Sequence, residues 1–580
     1  MARVDGNPDT DWPTKRWQPT VRVCRALGNN CSVKAAVPPP SSQKRERNSF
    51  DFGNPPGAGV EWALIVERVW FIMNSATGSI AIGTSGRTRT SETVGSHAAA
   101  GAFWTVLFSA LNKCLALGSQ IVLARMLLPE EFGLVATTLS VASLIAIMCG
   151  STLKNVLTQR MERFNQDAPH AFWLALALNL GGALLLAVIA PVAGILFKDS
   201  RVTPLMLVFA LAVPFQALPT IYAAALARQL RFRDIALIHF GAGIVQNASS
   251  VTLAWLGFGA YSLVLPWVAM ALYMAVAYRL TAGRIRVGRP EIRRWGDLQR
   301  SVSWLMAVTG LAAMQTTGAS LVISLMHDPR TTGYFYWGFT VSSQLVYLLV
   351  TSLQQMMMAV LARLNSEPER QSLAVSKAIQ TLTLILAPVC LLQVLLAEPV
   401  IAFVFHDRWL PSVPVVQFTS LGSVTQPLNL LSATVLMAHG RFRRLAGATL
   451  LMVVVLLAAA ALGCVLGRQR EIALCVMVGM VLGNLIAGWL VFREFDSGWA
   501  ELCAALLPAL TLAIPLAGVT WTACRLSSSL GTPAMTAVTV TSCAVTYFAL
   551  LKRFYPEILS EVVLRVTRRH RRTATSPWQP

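Results

Sequence analysis

The sequence predicts an all-α polytopic membrane protein of about 14 transmembrane helices, in two six-helix bundles followed by two C-terminal helices. Two observations carry this. From about residue 101 to 551 the chain is a succession of apolar blocks of about twenty residues, cut apart by short arginine-bearing loops. A helix of ~20 apolar residues spans the ~30 Å hydrocarbon core. Lipid admits only helices or closed barrels, and the blocks are too uniformly apolar for the alternating ~10-residue strands of a barrel. Second, charged residues are 13% and hydrophobic residues 55% of the chain, against ~25% charged in ordinary soluble domains.

Taken in order, the expected spans are 103–123, 132–150, 172–196, 204–226, 235–256, 261–280, 302–326, 334–361, 379–405, 413–437, 445–466, 472–492, 502–524 and 534–551. The second is short, and Pro214 and Pro219 interrupt the fourth. Loops after even-numbered spans carry 19 Lys and Arg, and loops after odd-numbered spans carry 8. The basic side faces the cytoplasm. Both termini then lie there, with the tail arginines Arg565, Arg568, Arg569, Arg571 and Arg572. The net charge of +21 suits anionic lipid headgroups rather than nucleic acid.

The expected organisation is a polar N-terminal tail (1–98), a first bundle (99–281), a basic cytoplasmic loop (282–300), a second bundle (301–493), two extra helices (494–552) and a basic tail (553–580). The first segment is rich in Pro, Ser, Arg and Asn, a composition that resists packing. It reads either as a disordered tail or as residues preceding a true start near Met73. The bundles read as a repeat about an axis along the membrane normal. At an offset of 208, Phe197 meets Phe405, Asp199 meets Asp407, Pro219 meets Pro427 and Arg233 meets Arg441. Glu131-Phe132-Gly133 likewise faces Thr332-Gly333-Tyr334.

No Walker A or HExxH pattern is present, and short external loops leave no room for a catalytic domain, so the chain is not expected to be an enzyme. Cys114, Cys149, Cys390, Cys464, Cys475, Cys503 and Cys543 lie inside apolar blocks, where cysteine acts as a small hydrophobe. No metal site is expected.

What remains is polarity inside spans. Lys113, beside Asn112, lies near the middle of span one. A cation there costs ~2.5–3.5 kcal/mol on insertion scales. It either faces a wet cavity or an anion, or snorkels along the helix. Gln120 shares its face, seven residues on, and Gln315 holds the equivalent place in span seven. Together they would line the seam between bundles. Spans one and seven contain no Asp or Glu. A cavity of cations and amides suits an anionic, hydroxyl-rich substrate such as a pyrophosphate-linked sugar.

Several stretches resemble a known family. They are Leu123-Ala124-Arg125-Met126-Leu127-Leu128-Pro129-Glu130-Glu131-Phe132-Gly133-Leu134, Leu226-Ala227-Arg228-Gln229-Leu230-Arg231-Phe232-Arg233, Gly257-Phe258-Gly259-Ala260-Tyr261-Ser262 and Phe405-His406-Asp407-Arg408-Trp409. They are similar to Wzx-type polysaccharide and O-antigen flippases of the multidrug/oligosaccharidyl-lipid/polysaccharide exporter superfamily. The resemblance implies a bacterial inner-membrane flippase for an undecaprenyl-diphosphate-linked oligosaccharide. It implies alternating access between two lobes, a cationic central cavity, no cofactor, and H+ or Na+ as coupling ion. Lys113 would contact the diphosphate, Arg125 would lie near the external mouth, and Lys154, Arg228 and Arg363 near the cytoplasmic mouth. For Arg228 a role in orientation alone is an equal reading. A polysaccharide polymerase and chain-length machinery are the implied protein partners. The alternatives are a multidrug antiporter, which would need a carboxylate in span one or seven, a lipid II exporter, or a membrane-embedded glycosyltransferase or polymerase, which would need a long external loop.

Overall fold

Each expected block falls mainly on helix, within the described residues, in the computed structural model, which describes residues 89–146, 157, 164–283, 292–363, 368–495, 499–527, 529 and 531–555. Residues 1–88 with Met73, Lys154 and most of the basic tail lie outside these residues; the last ten residues of the expected polar tail, 89–98, are instead helical, as the first turns of a long helix that carries on into the first apolar block. Among the described residues there is no strand.

The first set of helices is α1 (Arg89–Met126), α2 (Pro129–Ala146), α3 (Phe164–Leu196), α4 (Val202–Ala212), α5 (Ala217–Arg228), α6 (Phe232–Trp255) and α7 (Tyr261–Ala282). The second is α8 (Ile292–Met326), α9 (Pro329–Arg363), α10 (Pro368–Val400), α11 (Val413–Ser423), α12 (Gln426–Ala438), α13 (Phe442–Leu466) and α14 (Gln469–Glu494). Helices α15 (Trp499–Leu526) and α16 (Thr532–Phe554) follow. A 3-10 turn at Pro214–Gln216 breaks the fourth span into α4 and α5, because proline cannot donate to the helical ladder. A π-helical turn (Ile401–Phe405) and a 3-10 turn (Asp407–Ser412) join α10 to α11.

Ten segments among the described residues are long and apolar enough to cross a membrane. The other expected spans fall on α2, α6, α9 and the broken pair α11–α12. Helices α2 and α9 are enclosed by neighbours, and interior helices carry more Ser, Thr and Gln. The outer helices show the opposite pattern. Leu184, Val188, Val192 and Ile195 of α3 are 68%, 61%, 60% and 80% exposed, on one stripe. Water would not tolerate such a continuous apolar face; acyl chains do.

Four helices overrun their apolar blocks at the same end. α1, α3, α8 and α10 begin at Arg89, Phe164, Ile292 and Pro368 rather than at 103, 172, 302 and 379. Hydropathy marks only the part in oil, whereas the helical ladder runs on into the polar loops.

Within the first set α6 packs on α1 and α7, while α3, α4, α5 and α7 form a second layer. In the second set α13 pairs with α14 and α8, and α9, α10, α11 and α12 close around them. The two added helices attach to α10. Helix α2 departs from a simple two-bundle scheme, since its main neighbours are α9 and α8 of the second set.

Matching turns expose the repeat. α2 opens at Pro129 and α9 at Pro329. The sequence comparison of this region is therefore corrected by one residue, with Gly133 opposite Gly333. Between α5 and α6 the chain turns through Leu230 at φ 56°, and between α12 and α13 through Gly440 at φ 68°. Both turns close by the same bond, from Arg231 N to Leu226 O (3.0 Å) and from Arg441 N to Leu436 O (2.9 Å), so Arg231, not Arg233, is the counterpart of Arg441. Arg231 then pairs with Asp234 at 2.6 Å, and Arg441 and Arg444 pair with Glu494. A Cβ in the left-handed region costs ~1–2 kcal/mol, which glycine avoids. Leu230→Gly is therefore expected to hold or slightly raise thermal stability in detergent. Gly440→Leu is expected to lower stability by about 1 kcal/mol, read as a fall in unfolding midpoint.

Candidate functional site

The seam between the two sets is built on a pair of glycines. A Cβ on Gly133 would meet Pro329 O at 1.8 Å, and one on Gly333 would meet Pro129 O at 1.7 Å. The contact is reciprocal, so the first turns of α2 and α9 cross with backbone against backbone. Further along, Ser140 Oγ donates to Thr317 O at 3.0 Å, and the Ser143 and Thr317 hydroxyls lie 2.7 Å apart. These bonds tie α2 to α8. Measured interhelical hydrogen bonds in membranes average ~0.6 kcal/mol, so none of them locks the seam alone.

Beside the crossing lies an aromatic cluster. Trp409, from the 3-10 turn before α11, is fully buried. Its indole stands 4.5 Å from Trp337, centroid to centroid, and meets Phe132 and Tyr334 edge-on at 5.3 and 6.2 Å. Phe405 packs edge-on against Trp337 at 4.7 Å. Such pairs contribute ~0.5–1.5 kcal/mol each beyond area burial. Two hydrogen bonds cross from one set to the other here: Trp409 Nε1 donates to Ala124 O at 2.8 Å, and Arg125 Nε donates to Val404 O at 2.8 Å.

The expected site residues separate into groups. Gln120 Oε1 accepts from Gln344 Nε2 of α9 at 3.0 Å, so it does stand at the seam. Lys113 is half-buried two turns before it. Seven residues bring it back to the same helix face ~10 Å along the axis. Asn112 turns instead toward α6, filling the space above Gly243. Arg125 sits at the end of α1 and its Nε is committed to Val404. Arg228 is exposed at the end of α5. Lys154 and the side chain of Arg363 lie outside the described part.

Gln315 requires a correction. It was expected at the seam but lies inside the second set, where its Oε1 accepts from Asn429 Nδ2 at 3.4 Å. It borders a small, mostly apolar pocket in which Ser343, Tyr347, Ser423, Gln426 and Asn484 stand among Phe339, Val346, Met452, Leu456 and Met480. The pocket lining contains no carboxylate. Being at the same depth as Gln120 did not put Gln315 on the same side of its helix. Among the described residues no cluster of His, Cys, Asp and Glu is arranged to hold a metal.

Sequence reasoning missed the roles of Gly133, Gly333 and Trp409. Gly133 and Trp409 lie in two of the stretches singled out, 123–134 and 405–409, which touch each other in space; Gly333 lies in none of them.

A family described as polysaccharide biosynthesis protein matches residues 122–414, half of the chain. The chain belongs to this family. The matched stretch contains the glycine crossing and the aromatic cluster, from Leu123 to Trp409, and begins just after Gln120. The chain is 26% identical over 426 residues to the succinoglycan biosynthesis transport protein ExoT of Rhizobium meliloti (strain 1021), covering 70% of this chain and 84% of that one. It is 19% identical over 347 residues to the lipopolysaccharide biosynthesis protein WzxC of Escherichia coli (strain K12), covering 59% of this chain and 70% of that one. Its fold is that of the lipid II flippase MurJ in an inward closed conformation (TM-score 0.64, 11% identity, 78% of this chain and 99% of that one). An inward-facing multidrug transporter of the MATE family shares it too (TM-score 0.53, 14% identity, 73% and 98%).

If α2 and α8 must part for function, joining them should stop it. Ser143→Cys with Thr317→Cys replaces two side-chain oxygens 2.7 Å apart, within reach of a disulfide. In a background without other cysteines, oxidation should abolish polysaccharide export and dithiothreitol should restore it. Export that continues in fully cross-linked protein would mean that the seam stays shut during transport.

Proposed function

We propose that this protein is a flippase that moves an undecaprenyl-diphosphate-linked oligosaccharide across the bacterial inner membrane for surface polysaccharide assembly. Both termini are cytoplasmic, and the cycle is alternating access coupled to an H+ or Na+ gradient. The observation that carries the reading is the alignment to ExoT, a protein named for succinoglycan transport, along 84% of that protein's length. The family and a fold shared with MurJ support it.

The chemistry fits a negatively charged load. A diphosphate crossing ~30 Å of hydrocarbon needs a fixed counter-charge, because desolvating an unpaired anion costs far more than binding it. Lys113 supplies one. It shares a face with Gln120, whose bond to Gln344 joins the two sets, so a headgroup held by Lys113 rests on the cytoplasmic side of that bond. Amides and hydroxyls nearby suit sugar hydroxyls. A multidrug antiporter would want a carboxylate in this region, and 103–123 and 302–326 contain none. The polysaccharide polymerase and chain-length machinery are the partners that would take the product.

Complementation of a flippase-deficient strain tests the reading. The intact chain is expected to restore surface polysaccharide. Lys113→Ala should cut it at least tenfold at equal protein level, and Lys113→Arg should retain most of it. Full activity of Lys113→Ala would remove this residue from the site. Failure of the intact, membrane-inserted chain to flip any lipid-linked oligosaccharide in proteoliposomes would remove the function.

A further inference from the structure

We infer that the segment Ile401–Ser412 is a latch that holds the seam shut on the face reached by the α1–α2 and α8–α9 turns, with Trp409 as its bolt. The inference rests on the flippase reading above, in which this face is external and must open once per cycle.

Three features single out the segment. It interrupts regular helix with a π turn followed by a 3-10 turn, between two helices of the second set. It nevertheless makes its polar contacts with the first set, where Trp409 reaches Ala124 O and Arg125 reaches back to Val404 O. Finally, His406 joins the two turns at φ 69° and ψ 165°, a region nearly confined to glycine. A side chain stays there only where surrounding contacts outweigh the cost, and the buried indole is the contact at hand.

The geometry favours release over permanent closure. Both bonds end on backbone carbonyls, Ala124 O in the last turn of α1 and Val404 O in the π turn, and the last carbonyls of a helix lack helical partners. Water can take over those carbonyls when the indole withdraws. The Gly133–Gly333 crossing brings the backbones together, but it offers no side chain to hold them. Trp409 fills that role from the side, packed on Phe132 of α2 and on Tyr334 and Trp337 of α9 at once. One residue thus touches both crossing helices and the end of α1. Its withdrawal would free all three.

The test uses the full chain with its native cysteines replaced and a single reporter, Ser140→Cys, buried in the seam. Spheroplasts are treated from outside with a membrane-impermeant maleimide. Trp409→Phe keeps an aromatic side chain but is smaller and loses the N–H donor, and should label at least fivefold faster than the parent. Arg125→Gln, at an exposed position, should raise labelling about twofold or more and serves where Trp409→Phe fails to accumulate. Equal labelling of parent and both variants, at equal abundance, overturns the latch. Transport is measured separately on the parent in proteoliposomes. A parent that flips with unchanged variant labelling leaves the function standing and removes the latch. Faster labelling in the variants with no flipping by the parent supports the latch and removes the function.

Discussion

Two helix backbones can touch only where neither crossing residue carries a side chain. Gly133 and Gly333 meet that condition reciprocally, each facing the carbonyl of the proline that opens the other's helix. The rest of the seam depends on this approach. It brings Ser140 and Ser143 within reach of Thr317, sets Phe132 and Tyr334 on either side of Trp409, and carries the end of α1 beneath the 401–412 segment. A Cβ at either glycine would push α2 and α9 apart and loosen these contacts together.

The energetics of this seam differ from those of a soluble core. Lipid tails are as apolar as leucine, so helices gain no hydrophobic reward for meeting. What remains is close packing, aromatic contact and a few hydrogen bonds, each a fraction of a kcal/mol to about 1.5 kcal/mol. Many small terms hold an interface closed without making it permanent. Outside the seam, buried clusters such as Val375, Leu428, Val435 and Phe492 bind helices within one set. The seam has a buried cluster of its own, in which Leu123 and Phe132 of the first set pack with Trp337, Phe405 and Trp409 of the second.

Much of the molecule was legible in the chain. Block length marked the helices, Pro214 marked the break between α4 and α5, and the arginine-rich loops lie at the end where α1, α3, α8 and α10 overrun their apolar blocks. Lys113 and Gln120 stand out because each is polar in an apolar block, the helical period puts them on one face, and Gln120 does reach the seam. Gln315 stood out equally but turned away from the seam, toward Asn429. Polarity says that an interior partner exists, yet not which helix supplies it. The glycines gave no such signal, since glycine is common throughout membrane helices.

Local sequence is enough to show that the chain crosses a membrane many times, where the apolar part of most helices lies, and which family it resembles. These follow from local rules, chiefly the cost of exposing backbone and charge to hydrocarbon. Only the tertiary structure decided that α2 belongs as much to the second set as to the first, that residues 133 and 333 touch, and that Trp409 bonds to a carbonyl 285 positions away in the chain. Those contacts join residues far apart in sequence through atoms that every residue carries. A carbonyl oxygen leaves no mark in the sequence, and the folded chain alone shows which one a side chain will find.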